Sequence, residues 1–122
     1  MERHFLGIGA LSAALAVTAG AFGAHGLRDL VTAERLVVWE TAARYHMYHA
    51  LALLIVAYLC SQKSGGPARL AGWLFVAGTV IFSGSLYTLT LTGITILGAI
   101  TPLGGVCLIA GWLVLAWGVW RR

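Results

Sequence analysis

The sequence predicts an all-α fold: a four-transmembrane-helix bundle whose second helix extends beyond the membrane. Three observations lead there. Of the 122 residues 60% are hydrophobic and only 10% charged, against roughly 25% charged in a soluble domain. No water-facing surface can be built with so few charges, so the apolar surface must face lipid. Four apolar stretches of about 17–25 residues consume nearly the whole chain, each long enough for a hydrocarbon layer ~30 Å thick. The Lys and Arg residues behind the net charge of +4 stand at segment ends, where they report orientation. No basic stripe with interleaved aromatics points to nucleic acid as a partner.

The first helix is expected over about 5–25. Its opening imitates a secretory signal, with Arg3, an apolar run and the small residues Ala19-Gly20-Ala21. The run from Phe5 to Ala24 is long for a signal core, and three further spans follow, which favours a retained helix. Ala16/Gly20/Ala24 and Ala19/Gly23 form small-x-x-x-small series that let backbones approach closely, and Gly26 is read as the helix end. The second helix is expected over about 33–61. Thr32 is its N-cap, and Glu34 lies in the first turn, where the helix dipole favours an anion. Glu40 and Arg44 stand at i,i+4, in the order that suits an ion pair. The first three turns carry these charges and are placed outside the membrane. A Gly/Pro-bearing loop, Gln62 to Arg69, precedes the third helix, expected over about 70–91. A short uncharged link leads to the fourth, expected over about 97–120 and interrupted by Pro102. The whole chain, 1–122, reads as a single membrane domain.

Orientation follows from the basic residues. Both termini and the second loop share a side and carry Arg3, Lys63, Arg69, Arg121 and Arg122; the other side has Arg28, Arg35 and Arg44. The excess places both termini in the cytoplasm of a bacterial inner membrane. Trp73, Trp117 and Trp120 fall near the same inner interface as belt residues. Cys60 and Cys107 form no C-x-x-C and lie at different depths, so they read as small buried hydrophobes.

Placing the remaining polar residues by depth, at 1.5 Å per residue, gathers them in one layer. His25 ends the first helix; Tyr45, His46, Tyr48 and His49 lie in the outer turns of the second; Ser83, Ser85 and Tyr87 lie in the outer third of the third; Thr101 and Pro102 open the fourth. Pro102 cannot donate to the carbonyl of Gly98, which in lipid must be satisfied from within the bundle. Tyr, His or Ser from another helix is expected to do so.

Several chemistries compete for this layer. His46 and His49 at i,i+3, with His25 as a third ligand, could address a metal or haem iron. Glu40 with Arg44, Arg28 with Asp29, and the tyrosine pair could hold a lipid headgroup or a quinone edge. A Ser–His hydrolase lacks both a nucleophile elbow and a placed acid. Ser83-Gly84-Ser85 reads more simply as a packing face whose hydroxyls bond back to their own helix. The apolar inner half argues against a channel.

Four motifs in order, one per span, carry a resemblance: Gly20-Ala21-Phe22-Gly23-Ala24-His25, Tyr45-x-x-x-His49, Phe82-Ser83-Gly84-Ser85-Leu86-Tyr87 and Thr101-Pro102-Leu103-Gly104-Gly105. Together they resemble the family of domain of unknown function 423, small bacterial inner-membrane proteins with the animal transmembrane protein 256 among them. The resemblance implies a retained first helix and four membrane helices, and implies no activity. Its pattern carries over to His25, Tyr45, His49, Ser83, Ser85, Tyr87, Thr101 and Pro102. His46 departs from it, which leaves His25 with His49 as the better candidate metal pair and puts His46, Glu40 and Arg44 in a secondary group.

The expected function is therefore a non-enzymatic structural or accessory membrane component, in the lipid bilayer as a homo-oligomer or part of a larger complex. No cofactor is required. The alternative is a binder of a small ligand (quinone, lipid headgroup, haem or metal) in the polar layer.

Overall fold

A computed structural model describes residues 2–62 and 65–121. Four helices and one π-helical turn account for nearly all of them, and no strand occurs among the described residues. Helix α1 spans Glu2–Phe22 and runs on through the π turn Gly23–Leu27. Helix α2 is Ala33–Cys60, α3 is Gly65–Thr92 and α4 is Leu97–Trp120. Met1, residues 63–64 and Arg122 lie outside the described residues; Lys63 and Arg122 thus belong to the charge argument alone.

The all-α, four-helix architecture is present, with one refinement. Three helices are long and apolar enough to cross a membrane, Glu2–Leu27, Gly65–Thr92 and Leu97–Trp120, while α2 is not among them. The reason is composition: Glu34, Arg35, Glu40, Arg44, two imidazoles and two phenols occupy its first seventeen positions or so. Thr32 does cap it, its Oγ1 accepting from the Arg35 amide at 3.2 Å. Gly26 does not end α1. Its φ is not positive, since only Gly93 has that conformation, so the chain continues into a widened turn instead of the left-handed stop that a terminal glycine provides. Helix α3 starts earlier than the apolar run suggests, because Pro67 fits a first helical turn, where no amide partner is needed.

Packing follows chain order. The extensive contacts are α1 on α2, α2 on α3 and α3 on α4, so α2 and α3 form the middle of the bundle and α1 and α4 flank it. One end is dry: Phe5, Val56 and Phe75 are fully buried there, with Leu115 nearly so. Gly72 makes room for Phe5, whose ring reaches 2.5 Å from where a Gly72 Cβ would stand. The α3–α4 seam closes on Gly78 and Gly104, each beside the other's carbonyl oxygen. Such small-residue crossings supply the van der Waals contact that drives helix association in lipid. On α1 the face bearing Ala16 and Gly23 is buried, whereas Gly20 meets nothing within 4 Å.

Between α3 and α4 the chain reverses at Gly93, φ +74°, whose amide donates to Leu89 O at 2.7 Å. The Arg35 guanidinium lies over this turn, and Thr90, fully buried, donates to Leu86 O at 2.9 Å beside the Arg35 carbonyl.

Candidate functional site

His49 is buried, and both of its ring nitrogens are engaged. Nδ1 lies 2.7 Å from the carbonyl oxygen of Tyr45, one turn back, and Nε2 lies 3.0 Å from Trp112 Nε1 on α4. A carbonyl only accepts and an indole N–H only donates. The imidazole is therefore the neutral Nδ1–H form, with its Nε2 lone pair taken by Trp112. Phe75 and Trp112 rings pack against it at 5.4 and 5.9 Å. Such a histidine has no lone pair left for a metal.

His46, one turn earlier, serves a different neighbour. Its Nδ1 is 3.0 Å from the Tyr87 hydroxyl on α3. Tyr87 in turn packs on the Trp39 ring at 4.6 Å, and Trp39 donates through Nε1 to Ala19 O on α1 at 2.8 Å. His46, Tyr87 and Trp39 thus form a chain of contacts that spans α1, α2 and α3. The i,i+3 pair does not converge on one ion: each imidazole turns to its own partner. Among the described residues no group of three or more His, Cys, Asp or Glu side chains could hold a metal.

The hydroxyls cross between helices more than expected. Ser83 donates to Ala42 O on α2 at 2.8 Å and does not bond back to its own helix. Ser85 bonds back to Phe82 O at 3.0 Å and also lies 2.6 Å from Thr101 Oγ1 on α4. Thr101 Oγ1 is 3.2 Å from Leu97 O. Tyr45 stays at the margin, 39% exposed, with its ring near Phe82 and Tyr48 and its hydroxyl without a partner among the described residues.

Four sequence-predicted residues are not drawn into these contacts. His25 is exposed on the π turn and has no polar partner among the described residues, so it does not join His49. Pro102 is exposed, and among the described residues no side chain of another helix reaches the Gly98 carbonyl it frees. Gly98 lies exposed in the first turn of α4. Glu40 and Arg44 are both exposed and form no ion pair among the described residues. Sequence reasoning missed Trp39 and Trp112. The available clue was that an indole N–H placed in an apolar stretch needs an acceptor that lipid does not offer.

Two grooves flank the central α2–α3 pair. One, about 400 Å³, runs between α1 and α3 over His46, with Ser12, Leu15, Thr79, Ser83 and Tyr87 among its walls. The other, about 490 Å³, lies between α2 and α4 and is lined by Tyr45, Tyr48, His49 and Trp112. His46 borders the first and His49 the second.

Comparisons with known proteins agree with the motifs. No solved structure matches the chain. It is 55% identical over 114 residues to the UPF0382 membrane protein YwdK of Bacillus subtilis (strain 168), covering 93% of each chain. It is 50% identical over 119 residues to the UPF0382 membrane protein SSP2132 of Staphylococcus saprophyticus, covering 98% of each. The family described as "Protein of unknown function (DUF423)" matches residues 19–105, which include all four motifs. With that match, and with membrane-protein relatives aligned along most of its length, the chain belongs to the DUF423 family.

Proposed function

We propose that this chain is a non-enzymatic component of the bacterial plasma membrane. It is a single membrane domain over 1–122 with cytoplasmic termini, and its polar side chains hold its helices in register. It acts as a homo-oligomer or as an accessory part of a larger complex. The observation that carries the reading is how the polar groups are used: among the described residues no buried side-chain nitrogen or oxygen lacks a partner. The partners lie largely on other helices, in Ser83–Ala42, Ser85–Thr101, His46–Tyr87 and His49–Trp112. The Ser83 hydroxyl points its proton at a backbone carbonyl and not at an imidazole, which suits packing and not nucleophilic attack. The bacterial relatives named as membrane proteins support the location, and the basic residues at the ends and second loop support the orientation.

The test is a double-mutant cycle on His46→Leu and Tyr87→Phe, read by reversible unfolding in mixed micelles. Interhelical hydrogen bonds in membrane proteins average about 0.6 kcal/mol, reaching about 1.7, so a coupling in that range is expected. Zero coupling, with both single variants as stable as the parent, overturns the reading.

A further inference from the structure

We propose that the groove between α1 and α3 binds an uncharged membrane quinone, held by Ser12, His46 and Thr79. This goes beyond the packing role, because it uses hydrogen-bonding groups that packing leaves over. Every other Ser or Thr hydroxyl within the described helices has a hydrogen-bond partner: Thr18, Thr41 and Thr88, for example, donate to the carbonyl one turn back. Ser12 on α1 and Thr79 on α3 have none, and both line this groove. His46 borders it as well. Its Nδ1 is taken by Tyr87, and its Nε2 is without a partner among the described residues. All three atoms keep accessible surface, since no buried side-chain nitrogen or oxygen among the described residues is left unsatisfied.

Acyl chains cannot satisfy such groups, and bare polar groups facing hydrocarbon are costly. The groove therefore selects a molecule that carries oxygen on an apolar body. Its lining contains no Asp, Glu, Lys or Arg, so it offers no counter-ion to a phosphate or a fatty-acid carboxylate. The three free groups stand on three different helices around the groove, so an occupant with oxygens on opposite edges can meet more than one of them. A quinone ring has two carbonyls placed that way, and both accept from hydroxyls or an imidazole N–H. The remaining wall, with Ile8, Leu11, Leu15, Val76 and Val80, suits its prenyl tail. The volume of about 400 Å³ lies within the range of small-molecule sites.

The test uses the full chain in nanodiscs, titrated with decylubiquinone and read by quenching of intrinsic fluorescence. Trp39 packs on Tyr87 at the groove wall and serves as the reporter. Saturable quenching is expected, unaffected by decylbenzene or by diacylglycerol at the same concentration. A Ser12→Ala/Thr79→Val variant, which leaves the packing bonds intact, should melt like the parent and bind about tenfold more weakly. Absence of saturation overturns the proposal, as does displacement by diacylglycerol. Equal affinity in the variant also overturns it, since the quenching then does not depend on the hydroxyls of this groove.

Discussion

Gly104→Ala tests the packing of the α3–α4 seam. A Cβ on Gly104 would run into the Phe82 backbone nitrogen and stand 2.8 Å from Phe82 Cα and 2.9 Å from Gly78 O. Contacts become ordinary only from 3.4 Å, so the Phe82 Cα alone has to retreat by about 0.6 Å, the difference between 3.4 and 2.8. The obstacles are backbone atoms, which no rotamer change can move aside. Overpacking of this kind costs about 1–3 kcal/mol, and the upper half applies to a rigid neighbour. Replacing Gly by Ala in a helix returns up to about 1 kcal/mol, leaving a net loss of about 1–2 kcal/mol. Gly84→Ala on the same seam-forming helix is the control: nothing lies within 4 Å of its Cβ position, so only the helix gain applies. Unfolding of both variants in mixed micelles, monitored by circular dichroism, measures the difference. If Gly104→Ala is as stable as Gly84→Ala, α3 and α4 do not meet at this glycine and the packing order falls.

Trp112→Phe and His49→Leu should each destabilise by about 1–3 kcal/mol, since each leaves a polar partner unsatisfied; the double variant should lose less than the sum in the same unfolding assay. Gly93→Ala forces a Cβ into a left-handed turn and to 2.7 Å from Arg35 Nη2, so a loss of about 1–2 kcal/mol is expected from its denaturation midpoint. His25→Ala should leave the melting temperature unchanged, because that side chain is exposed and unpartnered among the described residues. A fluorescent protein fused after Arg122 should mature and fluoresce in bacteria if the C-terminus is cytoplasmic; a dark fusion with active periplasmic alkaline phosphatase at the same site reverses the orientation.

The helical membrane class was legible because it rests on quantities a sequence displays: few charges, long apolar runs and a capping threonine at position 32. The partnership of residues was partly legible. Ser83, Ser85, Tyr87, Thr101 and His49 are hard to place in lipid alone, and all of them find partners on other helices. His25 and Pro102 stand apart from these contacts for a common reason. Depth along an axis can be counted from a sequence, but the direction in which a residue faces around that axis depends on neighbouring helices. A π turn then shifts the facing of His25 relative to a regular helix. Trp39 and Trp112 were overlooked because tryptophan is counted with the hydrophobic residues, although its N–H needs an acceptor in lipid.

The same distinction explains why the least apolar helix occupies the middle. Helix α2 packs extensively on both α1 and α3, so lipid reaches it along one narrow face. That face carries Tyr48, Leu51, Ile55 and Tyr58, all about half exposed or more, a stripe at alternating three- and four-residue spacing that bilayer can wet. His49, Ala50, Leu53 and Val56 turn inward. Polar side chains on α2 therefore meet carbonyls, hydroxyls and indoles before they meet acyl chains, and the desolvation cost that limits the outer helices does not limit this one. Helices α1 and α4 have partners on fewer sides and need higher hydropathy to remain in the same membrane. Low apolarity in α2 is thus the expected property of a shielded helix.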